Sequence, residues 1–543
     1  MNQPWLQEYS DGIPATIDPD SYPHYVAMLD EACAAYSDHV AYRSFDAPLT
    51  YGETDYLSRH FAAWLQQEAG VRKGDRVAVM MPNMLAFPVA MFGILRAGGV
   101  QVNVNPLYTP RELQHQLSDA DVDTIVIYSG STPVLAEIIA DTPVKRVIVA
   151  GLDDMIGRGV PSPAADPRLG DALGFTAALE RGAELSLTPV ELGGDDLMFL
   201  QYTGGTTGLS KGAMLTHRNI IANILQYRAV AANVLQPGDE IVMTAIPMYH
   251  IFALTVNTLA HYWFGAENVL ITNPKDLKSF AEEWCKRPVT VFTAVNTLFN
   301  GLNHTPRFAD ADFSRLHICV GGGAPVQAAV SDDWKAITGR HIPQGYGLSE
   351  TSPVVTLPPF EKDVIVGSIG IPLPSTDVSI RADDGSVCPV GEAGELCVKG
   401  PQVMPGYWRR DDATAEVMTD DGYFRTGDIA TMDEQGYFRI VDRKKDMILV
   451  SGFNVYPNEI EQEVQQHEGV LESACVGIPH PKTGEAVALY VVKKDPDLTD
   501  EDIREFCRER LTAYKVPTHI EFIDELPKST VGKVLRRELR DRT

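Results

Sequence analysis

The chain has 543 residues, which is too long for one compact core and predicts two or more domains. Hydrophobic residues make up 44% and charged residues 22%, a balance that excludes a mainly disordered chain. The 46 Lys and Arg residues against 73 Asp and Glu residues give a formal net charge of −27, which disfavours nucleic-acid binding. An anionic ligand must therefore be held by local basic side chains or backbone amides.

The cysteines and the apolar runs indicate a cellular compartment. The 7 cysteines are scattered and form no Cys-x-x-Cys pair, which is typical of reduced thiols in a cytosolic protein. The first residues lack the basic start and apolar run of a secretory signal. The longest apolar run, 84–95, is shorter than the about 20 residues of a membrane-spanning helix. The sequence therefore predicts a cytoplasmic protein.

The first 190 residues alternate Val- and Ile-rich runs with helix-like stretches. Strand-like runs at 76–81, 100–104, 123–128 and 145–150 are separated by segments such as the helix-like run 85–96. Buried strands separated by helices predict parallel sheets that are covered by helices on both faces. We therefore expect an α/β fold.

The pattern changes twice in the second half of the chain. Short strands broken by Gly, Pro and Asp-Gly pairs predict a β-rich subdomain at about 367–440. A polar run at 442–446 precedes a new strand–helix–strand pattern. We place a domain boundary there, so that residues 1–442 form a large domain and residues 443–543 a small α+β domain.

A Gly- and Thr-rich loop carries the most chemical information. A strand-like run from Met198 leads into the loop, and a helix-like stretch is expected directly after Gly212. Its glycines allow backbone amides to approach an anion closely, while threonine hydroxyls and one lysine add donors and charge. The loop predicts a polyphosphate site, although a Gly-rich segment can also be a plain surface loop. The candidate ligands are Thr203, Gly204, Gly205, Thr206, Thr207, Gly208 and Lys211.

Two other motifs compete for this loop. A Walker-type P-loop is excluded because Leu209 and Ser210 separate Gly208 from Lys211. The run Gly208-Leu-Ser-Lys-Gly212 does match the nucleophile elbow of serine hydrolases, with Ser210 as the nucleophile. The loop is longer than the sharp turn of an elbow, which disfavours this alternative without removing it.

Five segments in this order resemble the motifs of the adenylate-forming superfamily, which contains acyl-CoA synthetases, peptide-synthetase adenylation domains and luciferases. They are the phosphate loop, 344–351, 423–428, the pair 442–446 and 451–460, and 527–533. Further segments, at 102–110, 247–252 and 445–453, resemble the bacterial long-chain-fatty-acid–CoA ligases. The similarity runs from about residue 4 to the C-terminus.

The resemblance implies a reaction in two halves. A fatty acid carboxylate would attack the α-phosphate of ATP, giving acyl-AMP and pyrophosphate, and the thiol of CoA would then displace AMP. A medium-chain or aryl acid–CoA ligase carries the same motifs and remains the alternative. A fatty-acid-binding protein without catalysis is disfavoured by the complete set of ATP motifs. The implied ligands are fatty acid, ATP, CoA and Mg²⁺.

The resemblance also implies roles for individual residues, several of which would otherwise be surface, turn or core residues. Four would be catalytic: Lys533 would bridge carboxylate and α-phosphate, Thr351 would bond the α-phosphate, His250 would gate the carboxylate, and Lys445 would be the hinge. The small domain would rotate about this hinge between the two half-reactions. For ATP the candidates are Gly323, Tyr346 on adenine, and Asp428 with Arg443 on the ribose, while Glu350 would hold Mg²⁺. Ser451, Gly452 and Phe453 would line the CoA tunnel, Ala294 and Val295 the acyl channel, and Arg536, Arg537 and Arg540 the polar side of a terminal helix.

Three positions depart from the family pattern. Ser210 stands where proline is frequent, and Ser349 stands where threonine is common. Ala294 stands where many long-chain relatives have glycine, so its methyl group could shorten the preferred acyl chain. Fatty substrates partition into bilayers, so we also expect transient contact with the inner membrane surface. The oligomeric state, monomer or homodimer, stays open.

Overall fold

The structure is a computed structural model that describes residues 3–203, 210–451, 453–529 and 532–542. Its first large sheet has the strand order β7-β6-β5-β3-β4-β8-β9 and is parallel except at β9. The strands are β3 (Arg76–Met80), β4 (Val100–Asn103), β5 (Thr124–Tyr128), β6 (Arg146–Ala150), β7 (Leu173–Gly174), β8 (Leu197–Thr203) and β9 (Lys211–Thr216).

The second large sheet has the order β13-β12-β10-β11-β1-β2 and is parallel except at its β1–β2 edge. Its strands are β1 (Val40–Ser44), β2 (Ala47–Thr50), β10 (Ile241–Thr244), β11 (Glu267–Leu270), β12 (Val291–Ala294) and β13 (Ile318–Gly321). These two sheets confirm the predicted α/β class. Polar groups that follow the carboxyl ends of such parallel strands meet at one edge, where ligands of α/β proteins bind.

Helices cover and separate the two sheets. They are α1 (Tyr25–Ala35), α2 (Tyr51–Gln67), α3 (Ala86–Arg96), α4 (Pro110–Asp119), α5 (Thr132–Ile138), α6 (Phe175–Gly182), α7 (His217–Ala231), α8 (His261–Trp263), α9 (Leu277–Trp284), α10 (Asn296–Asn303) and α11 (Ala328–Thr338), with a π-helix at Ala253–Ala260. The apolar run 84–95 forms most of α3, which is buried along its whole length. A helix that is apolar all round belongs in the interior, and α3 packs in the core between the sheets.

The segment that follows is built from short antiparallel strands. One small sheet contains β14 (Tyr346–Gly347), β15 (Val354–Leu357) and β16 (Ile371–Pro372); the other contains β17 (Asp377–Arg381), β18 (Gly394–Lys399), β19 (Phe424–Met432) and β20 (Phe438–Arg443), with α12 (Asp411–Val417) between β18 and β19. The frequent Gly and Asp-Gly turns of this part of the sequence match such tight connections.

The small C-terminal domain packs helices on a separate sheet of order β22-β21-β24-β23, with β25 beside β24. Its elements are β21 (Ile448–Val450), β22 (Phe453–Val455), α13 (Pro457–Val464), β23 (Val470–His480), β24 (Gly484–Lys493), α14 (Asp500–Arg510), β25 (His519–Phe522) and α15 (Arg536–Arg540). In the described parts of the chain, no helix combines the length and the apolar character needed to cross a bilayer.

Candidate active site

The phosphate loop joins two antiparallel strands. Thr203 ends β8 and pairs with Lys211, the first residue of β9. The predicted ligands Gly204, Gly205, Thr206, Thr207 and Gly208 lie outside the described residues. The prediction of a helix directly after the loop is wrong, because residues 211–216 form the strand β9. The helix α7 begins only at His217, after a capping box formed by Thr216 and Asn219.

This hairpin disagrees with a nucleophile elbow. An elbow turns from a strand straight into a helix, whereas Ser210 lies immediately before a strand. The nearby imidazole of His115 donates its Nε2–H to the backbone oxygen of Ser210 at 2.9 Å. This contact orders the end of the loop and does not engage the Ser210 hydroxyl. The serine hydrolase hypothesis therefore loses its structural context.

A residue that the sequence analysis missed connects the phosphate loop to the candidate magnesium ligand. Residues 406–408 pair with β9 through the bonds Met214 N to Gly406 O (3.0 Å) and Trp408 N to Gly212 O (2.8 Å). Tyr407, between them, lies with its ring 5.2 Å from the Lys211 ammonium. Its hydroxyl donates to Glu350 Oε1 at 2.8 Å. The run Pro405-Gly-Tyr-Trp408, two aromatic residues after a turn signal, was the available clue.

Glu350 is a buried carboxylate, with 8% of its surface exposed. Burial raises its pKa, while the hydrogen bond from Tyr407 lowers it. A cavity of about 360 Å³ beside it is lined by Tyr407, Glu395 and Lys444 among others. No group of three or more His, Cys, Asp or Glu side chains that could hold a metal ion occurs among the described residues. A single carboxylate fits Mg²⁺ when substrate phosphates supply further oxygens, which is how Mg²⁺ usually binds with nucleotides.

Thr351 follows Glu350 and is completely buried. Its hydroxyl accepts a hydrogen bond from Leu348 N at 3.0 Å and also contacts the Pro353 carbonyl oxygen. These bonds hold the turn 349–351 that presents Glu350. A bond from Thr351 to an α-phosphate would have to replace one of them.

The predicted ribose residues converge on one carboxylate. Asp428 on β19 pairs in register with Arg443 on β20, and Arg443 Nε lies 3.2 Å from Asp428 Oδ1. The hydroxyl of Tyr346 donates to Asp428 Oδ2 at 2.6 Å. Burial, together with the Asp428 carboxylate, raises the pKa of Tyr346 well above its usual value. Tyr346 precedes Asp428 by 82 positions in the sequence, and the folded chain brings the two side chains into contact.

Lys533 of the small domain lies within electrostatic range of this cluster. It is half-buried, and burial together with the Arg443 guanidinium lowers its pKa to about 7, while Asp428 acts in the opposite direction. The preceding Gly532 fits tightly against the large domain. A Cβ atom on Gly532 would lie 2.4 Å from Thr297 Oγ1 and 3.1 Å from Val295 Cγ2.

His250 of the large domain lies within electrostatic range of Lys533. Burial lowers the pKa of His250 to about 4, and the positive charge of Lys533 contributes to this shift, so the imidazole is neutral at pH 7. Two buried amides missed by the sequence analysis anchor the backbone before His250. Asn83 bonds to Thr244 O, Ile246 O and Met248 N at 2.8–3.1 Å, and Gln201 Nε2 donates to Tyr249 O at 3.1 Å. In the sequence, Asn83 and Gln201 stand out only as polar residues within otherwise apolar segments.

The predicted hinge lies between residues tied to opposite domains. Lys444 forms ion pairs with Asp383 (2.7 Å) and Glu395 (3.4 Å) of the β-rich part. Asp446 pairs instead with Arg540 of the small domain at 2.6 Å. Lys445 between them is exposed as a residue, although partial burial of its ammonium group lowers its pKa to about 8.

Two of the predicted CoA residues, Ser451 and Phe453, lie on the small domain. Ser451 adopts a left-handed backbone (φ 53°), and its N–H donates to Thr483 O at 2.8 Å. Phe453 is 55% exposed and stacks on Tyr514 with ring centroids 4.8 Å apart. Gly452 lies outside the described residues.

The two predicted acyl-channel residues have different surroundings. Ala294 is fully buried at the end of β12, in the same aromatic core cluster as Phe299 and Trp334. Val295 is half-buried and borders both Gly532 and Gly323, since a Cβ atom on Gly323 would lie 3.7 Å from Val295 Cγ1. Val295, rather than Ala294, therefore lies next to the Lys533 loop.

Comparison with known proteins agrees with this geometry. Residues 29–408 match the family model "AMP-binding enzyme", and residues 459–533 match "AMP-binding enzyme C-terminal domain". The chain is 51% identical to a long-chain-fatty-acid–CoA ligase of Escherichia coli O6:H1, with 100% of this chain and 98% of that protein covered. It is 37% identical to a feruloyl-CoA synthase of an Amycolatopsis species, with 92% and 95% covered.

The fold is also found in solved structures. ATP-bound MatB from Rhodopseudomonas palustris superposes with a TM-score of 0.83 at 28% identity, over 97% of this chain and 99% of that one. The family models together span most of the chain; Glu350 and Lys533 fall within them, while Asp428, Arg443 and Lys445 lie in the interval between them. The chain belongs to the family of AMP-binding enzymes.

Proposed function

We propose that this protein is an ATP-dependent acid–thiol ligase that converts long-chain fatty acids into their CoA thioesters. The reaction passes through an acyl-adenylate and releases pyrophosphate and then AMP. One observation carries the proposal: the Lys533 loop of the small domain packs against Thr297 and Val295 of the large domain, within electrostatic range of Asp428, Arg443 and His250. The full-length similarity to long-chain-fatty-acid–CoA ligases supports the choice of acid.

In the first half-reaction a carboxylate approaches a triphosphate, and the two anions repel each other. The protonated Lys533 would contact both anions, which would lower the cost of their approach. Asp428 has only acceptor oxygens, so it suits the two ribose hydroxyls and fixes the nucleotide relative to Lys533. The neutral His250 adds no charge of its own to the carboxylate's path.

Glu350 would hold Mg²⁺ together with the phosphates, and the ion would neutralise negative charge on the leaving pyrophosphate. Tyr407 keeps the Glu350 carboxylate oriented through its hydrogen bond and also contacts Lys211 at the base of the phosphate loop. Tyr407 thereby links a carboxylate, through its hydroxyl, and a lysine, through its ring.

In the second half-reaction the CoA thiol attacks the acyl-adenylate. We propose that the small domain rotates about Lys445, which withdraws Lys533 and brings the segment Ser451–Phe453 to the site. The separate ties of Lys444 and Asp446 support this pivot. The enzyme would act in the cytoplasm, with transient contact to the inner membrane surface that holds its substrate.

The test is palmitate-dependent consumption of ATP, with and without CoA, and identification of the products. We expect AMP, pyrophosphate and palmitoyl-CoA in equal amounts. Lys533→Ala should lose the first half-reaction and keep thioester formation from supplied palmitoyl-AMP. AMP formation with an aryl or medium-chain acid but not with palmitate would favour the alternative, a medium-chain or aryl acid–CoA ligase. The similarity to feruloyl-CoA synthase suggests ferulate as the aryl acid to test. No AMP with any acid would refute the proposal.

A further inference from the structure

Asp442 makes contacts that cross the proposed pivot. It lies near the end of β20, before Lys445, and its carboxylate is completely buried. Asp442 Oδ2 accepts a hydrogen bond at 2.8 Å from the backbone N–H of Asn458, near the start of α13 in the small domain. The Asn458 side chain in turn donates to Val441 O at 3.4 Å. Both bonds join residues on opposite sides of Lys445.

Arg536 completes this group and corrects one expectation from the sequence. Of the basic residues expected on the polar side of α15, Arg537 is exposed, but Arg536 points inward. Its Nη2 donates to Asn458 Oδ1 (2.7 Å) and to Glu461 Oε1 (2.8 Å), and its Nη1 lies 3.8 Å from Asp442 Oδ1. The guanidinium of Arg536 turns inward because it pairs with Asp442 and Glu461, which are distant from it in the sequence.

The charge of Asp442 depends on these partners. A buried carboxylate is costly unless it is paired and hydrogen-bonded. Burial raises the pKa of Asp442 to about 6, whereas Arg536 and the backbone N–H groups of Asn458 and Arg443 favour the ionised form. Glu461 acts against it. At neutral pH Asp442 is mostly ionised, and two of the partners that favour this form, Arg536 and the Asn458 N–H, belong to the small domain.

We propose that Asp442, Asn458 and Arg536 form a catch that holds the small domain in the orientation in which Lys533 enters the active site. The inference rests on the proposed function and adds positioning residues to it. Arg536 follows Lys533 by three residues, so anchoring its guanidinium also anchors the loop that carries Lys533. A rotation about Lys445 has to separate Asp442 from its partners, so the catch favours adenylation over thioester formation.

The test uses Asp442→Asn, which keeps the shape and an acceptor for the Asn458 N–H but removes the charge that faces Arg536. We expect fatty-acid-dependent exchange between ATP and pyrophosphate to fall about tenfold, because the orientation that it needs becomes less populated. Thioester formation from supplied acyl-AMP should stay within about twofold of the unmodified enzyme. Equal loss in both half-reactions, as a purely structural role would give, or no loss of exchange, would overturn the inference.

Asp446→Asn is the matched control. Asp446 also faces Arg536, at 3.6 Å, and pairs with Arg540, but these contacts all lie on the small-domain side of Lys445. It should change both half-reactions by the same factor, and a split like that of Asp442→Asn would count against the catch. Should Asp442→Asn fail to fold, Asn458→Ala removes two bonds of the catch and should give the same split.

The failure of this inference differs from the failure of the proposed function. If the unmodified enzyme makes no AMP from any acid, the proposed function fails and the catch fails with it. If the unmodified enzyme is active and Lys533→Ala loses exchange while Asp442→Asn does not, only the catch is refuted.

Discussion

The surroundings of one ammonium group set the pH range of the proposed first half-reaction. Burial and the nearby Arg443 lower the pKa of Lys533 to about 7, and a lysine carries its charge below its pKa. The charged form is the useful one, so kcat/KM for ATP in the exchange reaction should fall as the pH rises through about 7. This parameter reports groups of the free enzyme. The measurement is the pH profile of ATP–pyrophosphate exchange.

Lys533→Arg is the control for this profile, because arginine stays protonated throughout that range. Its residual exchange should lack the fall near pH 7. A profile of the unmodified enzyme that stays flat until about pH 10, the range of an ordinary lysine, would contradict the assignment.

A second prediction concerns the hydroxyl of Tyr407. Tyr407→Phe removes the bond to Glu350 and leaves a buried carboxylate with one donor fewer, which favours its protonated form. A hydrogen bond to a charged group is worth about 1.5–3 kcal/mol, so we expect a rise of about tenfold or more in the Mg²⁺ concentration that gives half-maximal activity. Titration of activity with MgCl₂ at saturating ATP measures it.

Tyr22→Phe is the matched control, because Tyr22 also donates to a glutamate, Glu31, but on the surface beside α1. Its Mg²⁺ titration should match that of the unmodified enzyme. An unchanged titration for Tyr407→Phe would show that Glu350 needs no help from that hydroxyl.

At the scale of an element, the Lys533 loop requires a close approach between domains. Gly532 has a left-handed backbone (φ 77°), and a methyl group there would overlap Thr297 Oγ1. Gly532→Ala should therefore reduce ATP–pyrophosphate exchange by about tenfold or more, through backbone strain of about 1–2 kcal/mol plus the overlap. Exchange assays with purified protein measure the loss.

Gly484→Ala separates strain from overlap. Gly484 is in the same domain with nearly the same backbone (φ 81°), but a Cβ atom added there would have its nearest neighbour 3.7 Å away. Both variants should unfold at similar temperatures, and only Gly532→Ala should lose exchange. Equal exchange activities of the two variants would mean that the first half-reaction does not need the Lys533 loop in this close contact with Thr297.

The sequence could predict those elements whose formation depends on neighbouring residues, but not those that depend on pairing with distant segments. The alternating strands and helices of the first 190 residues follow from local periodicity, and so does the buried α3. The strand β9 was expected as helix because its stability comes from β8 on one side and from residues 406–408 on the other. Pairing with a segment about 190 residues away leaves no local signal.

The site shows the same division. Motif order predicted that Tyr346, Asp428 and Arg443 belong together, and the structure places them in contact. Tyr407, Asn83 and Gln201 act through neighbours from other parts of the chain, so residue type and spacing could not single them out. Which way Arg536 faces likewise depends on acidic groups of β20 and α13.

At the scale of the whole molecule, the net charge of −27 governs encounters with membranes. An anionic bilayer repels such a protein, and each elementary charge near the surface contributes about 1 kcal/mol. We expect co-sedimentation with phosphatidylcholine vesicles to stay the same or decrease when phosphatidylglycerol is added at low salt. Increased binding would instead indicate a local basic surface that overrides the net charge.

The pairing of residues 406–408 with β9 has a consequence for the order of synthesis. Until residue 408 has left the ribosome, the phosphate-loop hairpin has β8 as a neighbour on one side and an open edge on the other. Open strand edges are the usual sites of wrong pairing between chains. A nascent chain thus carries this edge exposed through the translation of nearly 200 further codons, so wrong pairing at the hairpin has that long to begin.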